Sequence, residues 1–273
     1  MNNCPQVLVD IATYLKEKKI EISEKVEGEG RGGSLKDEGS IKRALMENEQ
    51  FKDLIIDESA RKFGDMVVLD YDKVQRYPVN IKTSIGSTDN CFSKAGTVYA
   101  FTDLPDTEIP KQMNFKKMNE LIKTHGKDVP NRDYWFLCVD KNDSSNVLVR
   151  GAKQINNWVV NINPSNVLQV NWSKEKSMPP KERTYDEAFE VIIGGVKKSL
   201  NEFWKNIPED WKDDKPPSIP YQSILDQYPN IPIFDKESFK TWADNKFWQT
   251  KESHNDNWGP PSSDYNNSSG ILE

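Results

Sequence analysis

The sequence predicts a mixed-sheet α/β (α+β) domain flanked by helices, and three observations carry that expectation. MVVLDYDKVQRYPVNIKTS (66–84) reads as two strands around a tight turn. The strongly apolar DYWFLCVDK (133–141) reads as a buried strand that follows a basic amphipathic helix. Segments at helical spacing precede and follow the strands, so helices should cover the sheet.

VLVDIATYLKEKK (7–19) has apolar residues at helical spacing and predicts the first helix. EGEGRGG (27–33) reads as a flexible break. LKDEGSIKRALMENEQFKDLI (35–55) predicts a second helix, with Gly39 near its start. The strands 66–71 and 74–84 should pair around Asp72 and Lys73, with Pro78 removing one ladder donor. IGSTDNCFSKAG (85–96) reads as a polar loop of small residues. NFKKMNELIKTHGK (114–127) predicts a basic helix, and VLVRG, WVVNI and VLQVNW (147–172) predict further strands with Asn-rich connections. TYDEAFEVIIGGVKKSLNEFWKNI (184–207) predicts a long helix, loosened at Gly194 and Gly195. The expected organisation is a core over 1–207 and an extension over 208–273. That extension is proline-rich and acidic, with one helix at 234–251 and a frayed tail.

Composition removes several classes of chemistry. Cys4, Cys91 and Cys138 have no CxxC spacing, which argues against a disulfide scaffold or a zinc ribbon. Two histidines, His125 and His254, exclude HExxH and other His-rich metal chemistry. A metal would be held by carboxylates and carbonyls, which favours Mg²⁺. No stretch approaches the roughly 20 apolar residues of a membrane span. The N-terminus shows no secretory pattern, so a soluble cytoplasmic protein is expected. The net charge of −6 is unevenly placed: residues 207–273 hold 12 acids and 6 lysines, whereas residues 73–153 hold 13 basic and 9 acidic residues. The middle of the chain is thus mildly basic.

The chemistry-bearing constellation lies on the hairpin. Asp65 opens its first strand, and VNIKTS (79–84) ends its second. Residues two apart on a strand share a face, so Asn80 and Lys82 project together. The hairpin brings Asp65 near both. A carboxylate, an amide oxygen and the Ile81 carbonyl suit a hard cation, which would polarise a phosphate and acidify a bound water. The Lys82 ammonium could orient that water, help deprotonate it, or stabilise transition-state charge.

Gly64–Asp65, fourteen intervening residues and Asn80-Ile81-Lys82 together resemble the PD-(D/E)xK nuclease superfamily, the fold of most type II restriction endonucleases. Gly64 stands where that family usually has proline, and Asn80 stands in place of the second acid. The chain is also similar to EcoRV and its relatives over about 35–101. Glu38 sits on a helix 27 residues before Asp65, Lys82 is followed by Thr83 and Ser84, and SKAGTVYAF (93–101) follows. The resemblance implies a restriction-endonuclease-like mixed sheet. It also implies Mg²⁺ held by Asp65, Asn80, the Ile81 carbonyl and Glu38, with Lys82 at the attacking water. Hydrolysis of double-stranded DNA at a short site would follow. A palindromic site favours a homodimer, and a cognate DNA methyltransferase is expected in the same system.

Other readings stay open. Asp65 and Lys82 could form a surface ion pair of little energetic value. Glu38, beside Asp37, could cap a helix start. Asp70 and Asp72 should shape the hairpin turn. Thr83, Ser84, Ser87, Thr88, Asn90, Ser93, Lys94 and Thr97 could track DNA or belong to an ordinary loop. Lys153, Gln154, Asn156 and Asn157 could read adenine edges or form turns. Lys111, Lys116, Lys117, Lys123 and Lys127 could contact phosphates or form a solvated helix face. Trp172 and Trp204 should be core. Two other functions compete: a structure-selective or repair nuclease on the same fold, and a catalytically degenerate DNA-binding or interaction module.

Overall fold

A computed structural model of the chain describes residues 4–22, 30–57, 64–84, 88–110, 113, 115–161 and 167–199. The expected extension 208–273, with its helix and tail, and Trp204 lie outside the described residues.

Two helices open the fold, α1 (Gln6–Lys18) and α2 (Gly30–Met46). The strands β1 (Ile55–Asp57), β2 (Met66–Leu69), β3 (Arg76–Ser84) and β4 (Thr88–Asn90) follow. Then come α3 (Lys94–Phe101), α4 (Phe115–His125), β5 (Trp135–Asp140) and β6 (Val147–Gly151). The last described elements are β7 (Trp158–Val160), β8 (Leu168–Asn171), the single turn α5 (Trp172–Glu175) and α6 (Tyr185–Phe189).

The main sheet is mixed, in the order β1-β2-β3-β5-β6. β1, β2 and β3 form an antiparallel meander, and β3 pairs parallel with β5. That parallel pair needs a crossover, which α3 and α4 supply. A second sheet has the order β4-β8-β7.

Alternation along β3 decides what each face buries. Val79 and Ile81 face α1 and α2, in a cluster with Val7, Ile11, Ile41, Leu45 and Leu137. The residues opposite Asn80 and Lys82 on β5 are Phe136 and Cys138. They join the other cluster, with Cys91, Val98, Met118, Val170 and Trp172. The main sheet is therefore covered by helices on one side, and by helices and the small sheet on the other. Pro78 is tolerated near the centre because pairing with β5 begins only at Val79.

Several expectations need correcting. The helix expected over 35–55 stops at Met46. Turns replace its end, where Asn48 accepts from the Gln50 N–H at 2.8 Å, and the short edge strand β1 follows. Three apolar-to-acid residues carry too little periodicity to distinguish a strand from a helix end. Gly30–Gly33 lie inside α2 rather than in a break. The loop expected over 85–96 contains β4 and the start of α3. The expected long helix has a π-helical segment at Glu190–Gly194, where i→i+5 bonding replaces the usual ladder. Residues 200–207 lie outside the described residues. The hairpin turn is as expected: Asp70 accepts from the Tyr71 N–H and the Tyr77 hydroxyl, and Asp72 from the Val74 N–H. All three cysteines are free, and among the described residues no helix is long and apolar enough to cross a membrane.

Gly39 lies within α2, and a Cβ there would meet nothing within 4 Å. Gly39→Ala is therefore expected to stabilise the protein by about 0.5–1 kcal/mol, through lower unfolded-chain entropy. Urea denaturation checks the sign.

Candidate metal centre on strand β3

Asp65 is held by the backbone of β3. Its N–H donates to the Val79 carbonyl at 2.9 Å, and the Ile81 N–H donates to Asp65 Oδ2 at 2.6 Å. Gly64 makes this approach possible, since a Cβ there would lie 2.8 Å from the Val79 carbonyl oxygen. That contact gives a physical reason for glycine at 64. In an extended strand one residue's N–H and C=O leave on the same edge. The Ile81 carbonyl therefore leaves β3 on the edge where Asp65 stands.

α2 brings a second set of charges. Lys42 Nζ lies 2.8 Å from Asp57 Oδ1 and donates to the Asp65 carbonyl at 3.4 Å. Glu38 is one turn earlier on the same helix, within the fields of Asp65, Lys82 and Lys42. The helix-capping reading of Glu38 does not hold. α2 begins at Gly30 with no acid in its first turn, so Glu38 sits mid-helix. Asp37 is buried and pairs with Lys141 at 2.7 Å. Lys42 was missed in the sequence, although its i+4 spacing from Glu38 was visible.

The electrostatics are those of crowded, half-buried acids. Burial, then the Asp65 charge, lifts the Glu38 carboxyl to about 7 against the pull of Lys82 and Lys42. Burial also raises Asp65, opposed by the Ile81 N–H and by both lysines. For Lys82, burial favours loss of the proton, and the Asp89, Asp65 and Glu38 carboxylates oppose it. Burial pushes the Cys91 thiol up as well, so Cys91 is neutral at neutral pH. The carboxylates then provide the negative charge around Lys82.

Asn80 supplies the oxygen. Its Oδ1 is buried and has no hydrogen-bond partner among the described residues. Ser93 and Asn80 both hydrogen-bond the Tyr134 hydroxyl, so the Asn80 amide nitrogen makes that bond and fixes the side chain. Gly96 packs on the Tyr134 ring, where a Cβ would fall 2.6 Å from the ring carbon Cγ. An orphaned buried acceptor is costly by itself and suits a hard cation. Asp65, Asn80, Glu38 and the Ile81 carbonyl fit such an ion by donor chemistry. Among the described residues no group of three or more His, Cys, Asp or Glu could hold a metal, so the set depends on its neutral oxygens.

Many of the residues singled out for DNA have structural work instead. Ser93 caps α3 by accepting from the Gly96 N–H, and the buried Thr97 donates to the Ser93 carbonyl at 2.8 Å. Lys94 Nζ lies 4.9 Å from the Phe115 ring centroid. Asn90 accepts from the Phe92 N–H. Thr83 Oγ1 is buried without a partner among the described residues. Ser84 ends β3 and Thr88 opens β4, while Ser87 lies outside the described residues.

The run 153–157 needs the plainest correction. Lys153 and Gln154 are buried. Lys153 Nζ donates to the Arg132 carbonyl at 3.0 Å, and Gln154 Oε1 accepts from the Gly151 N–H. Asn156 and Asn157 donate through both backbone and side-chain nitrogens to the fully buried Glu175. Their side-chain nitrogens are committed to a buried acid. Of the lysines near α4, Lys117 pairs with Glu120 and Lys127 with Asp103, each at 3.6 Å. Lys111 lies outside the described residues.

Comparison with models of known protein families, with curated proteins and with solved structures finds no match for this chain.

Proposed function

We propose that the chain is a Mg²⁺-dependent nuclease of the PD-(D/E)xK kind, on a restriction-endonuclease-like fold. It would act as a type II restriction endonuclease on double-stranded DNA, as a cytoplasmic homodimer matching a two-fold site. One observation carries the reading: around the middle of β3, Asp65 accepts from the Ile81 N–H, Lys82 lies in the field of Asp65, and Glu38 on α2 lies in the fields of both, with the orphaned Asn80 Oδ1 on the same strand. The mixed sheet and the acid-bearing helix beside the hairpin support it.

Asp65, Asn80 Oδ1 and the Ile81 carbonyl would hold the ion, with Glu38 as a further ligand. Bound Mg²⁺ supplies Lewis-acid polarisation of the scissile phosphate and acidifies the attacking water. Lys82 remains an ammonium among carboxylates. As an ammonium it would orient water and stabilise charge that develops on the phosphate.

The test is purified protein with plasmid DNA and Mg²⁺, with EDTA as control. Discrete fragments that EDTA abolishes support the proposal. Cleavage confined to branched or mismatched DNA, with no fixed sequence in duplex, would instead favour the repair-type nuclease. DNA binding unchanged by EDTA, with no Mg²⁺ bound, would favour the degenerate binding module.

Glu38 gives a pH signature. Its folded pKa lies above its ordinary value of 4.5. The stability it contributes is present below 4.5 and is lost as pH rises through about 7. In EDTA, the melting temperature of wild type should fall over that window, and Glu38→Gln should flatten the fall. Saturating Mg²⁺ at pH 8 should restore wild type more than Glu38→Gln.

A further inference from the structure

α2 is tied to the sheet on both sides of Glu38. On one side Lys42 Nζ lies 2.8 Å from Asp57 Oδ1 and donates to the Asp65 carbonyl at 3.4 Å. Lys42 is one turn beyond Glu38 and shares its helix face, so that face is turned toward Asp65. On the other side Asp37 Oδ2 lies 2.7 Å from Lys141 Nζ, with side chains only 1 % and 14 % exposed. Lys141 directly follows β5. The last residue of β5, Asp140, lies opposite Ser84 of β3 and is itself paired with Lys176 at 2.5 Å. Asp37 is therefore anchored to the end of the β3–β5 pair.

Asp37, Ile41 and Leu45 recur at helical spacing, and all three are buried. Ile41 and Leu45 pack with Val79 and Ile81. Asp37 thus takes a core-facing position that suits an apolar side chain. Stability does not explain a charge there, because an apolar pair of similar volume is often as stable as a buried ion pair or more so. What the ion pair adds is register. A slip of one residue would move Glu38 by about 1.5 Å along the helix and turn it by about 100°, away from Asp65.

We propose that the Asp37–Lys141 ion pair is a positioning device that fixes the register of α2 and so holds the Glu38 carboxylate at the cation site beside Asp65. Its effect on metal rests on the hard-cation reading above, whereas the fixing of α2 does not.

Calorimetric Mg²⁺ titration tests the effect on metal. Lys141→Met should weaken Mg²⁺ affinity by about 10- to 100-fold, the scale of losing a residue that orients a ligand. The sign is diagnostic, since deleting a cation near the site would by its field alone tighten Mg²⁺ binding. Lys141→Arg, which keeps the charge, should retain most of the affinity. In a Glu38→Gln background, Lys141→Met should cause no further loss. Lys141→Met strands a buried acid, so the double variant Asp37→Leu with Lys141→Met guards against simple unfolding. It should melt near wild type and still bind Mg²⁺ as weakly as Lys141→Met. Unchanged or tighter binding in Lys141→Met, an equal loss without Glu38, or wild-type affinity in the double variant would overturn the positioning role. Amide hydrogen exchange in EDTA tests the tether without metal: Lys141→Met should speed exchange along α2 while β3 and β5 stay protected. Unchanged α2 exchange would overturn the tether. A wild type that binds no Mg²⁺ would sink the hard-cation reading and the role given to Glu38, and faster α2 exchange would then leave the tether standing.

Discussion

Lys82→Met is expected to reduce DNA cleavage by about 10²- to 10³-fold in kcat, the scale of removing one preorganised charge contact to a transition state. Methionine keeps much of the aliphatic length and volume, so packing against the Cys138 side of the sheet is largely preserved. What disappears is an ammonium held among Asp65, Glu38 and Asp89. On the nuclease proposal, phosphate contacts dominate ground-state DNA binding, so KM should change little. Native far-UV circular dichroism with an unchanged cleavage rate would contradict the assignment of Lys82.

Glu175→Ala is expected to cost about 3–5 kcal/mol, because it strips the partners from a buried charge and several buried donors. Glu175 is fully buried. It accepts from the Asn156 and Asn157 backbone N–H groups at 3.0 and 3.2 Å, and from both side-chain amides. Arg150 Nε lies 3.4 Å away. With alanine, the guanidinium loses its counter-charge and two backbone donors lose their acceptor together. For a chain of this size the melting temperature should fall by about 10 °C. Glu175→Gln keeps the shape and one acceptor oxygen, and should cost less. A loss below about 1 kcal/mol, on the order of a surface pair, would show that Asn156 and Asn157 are free for another role.

Much of the arrangement around β3 was legible in sequence because it is local. Asp65 immediately precedes β2, which a short turn joins to β3, and period-2 alternation alone places Asn80 and Lys82 together. The helix carrying Glu38 was visible, although its start was not. Glycines at 30, 32 and 33 looked like a break, and moving the start to Gly30 puts Glu38 mid-helix. The misread parts depend on distant partners. Asn156 and Asn157 look like base readers until α5 brings Glu175 beneath them, some 18 residues later in sequence. Asp89 seemed to lie in a loop because three-residue strands such as β4 carry no usable period. Its orientation is set by pairing with β8, about 80 residues away.

The central proposal is a hard-cation site at the middle of β3, built on Asp65 and the neutral oxygen of Asn80. Calorimetric titration of Mg²⁺ into wild type, Asp65→Asn and Asn80→Asp tests it most directly. The account predicts measurable Mg²⁺ binding by wild type, its loss in Asp65→Asn, and equal or tighter binding in Asn80→Asp, where a carboxylate replaces the amide. Absence of Mg²⁺ binding in wild type, or an affinity that neither substitution alters, would contradict it.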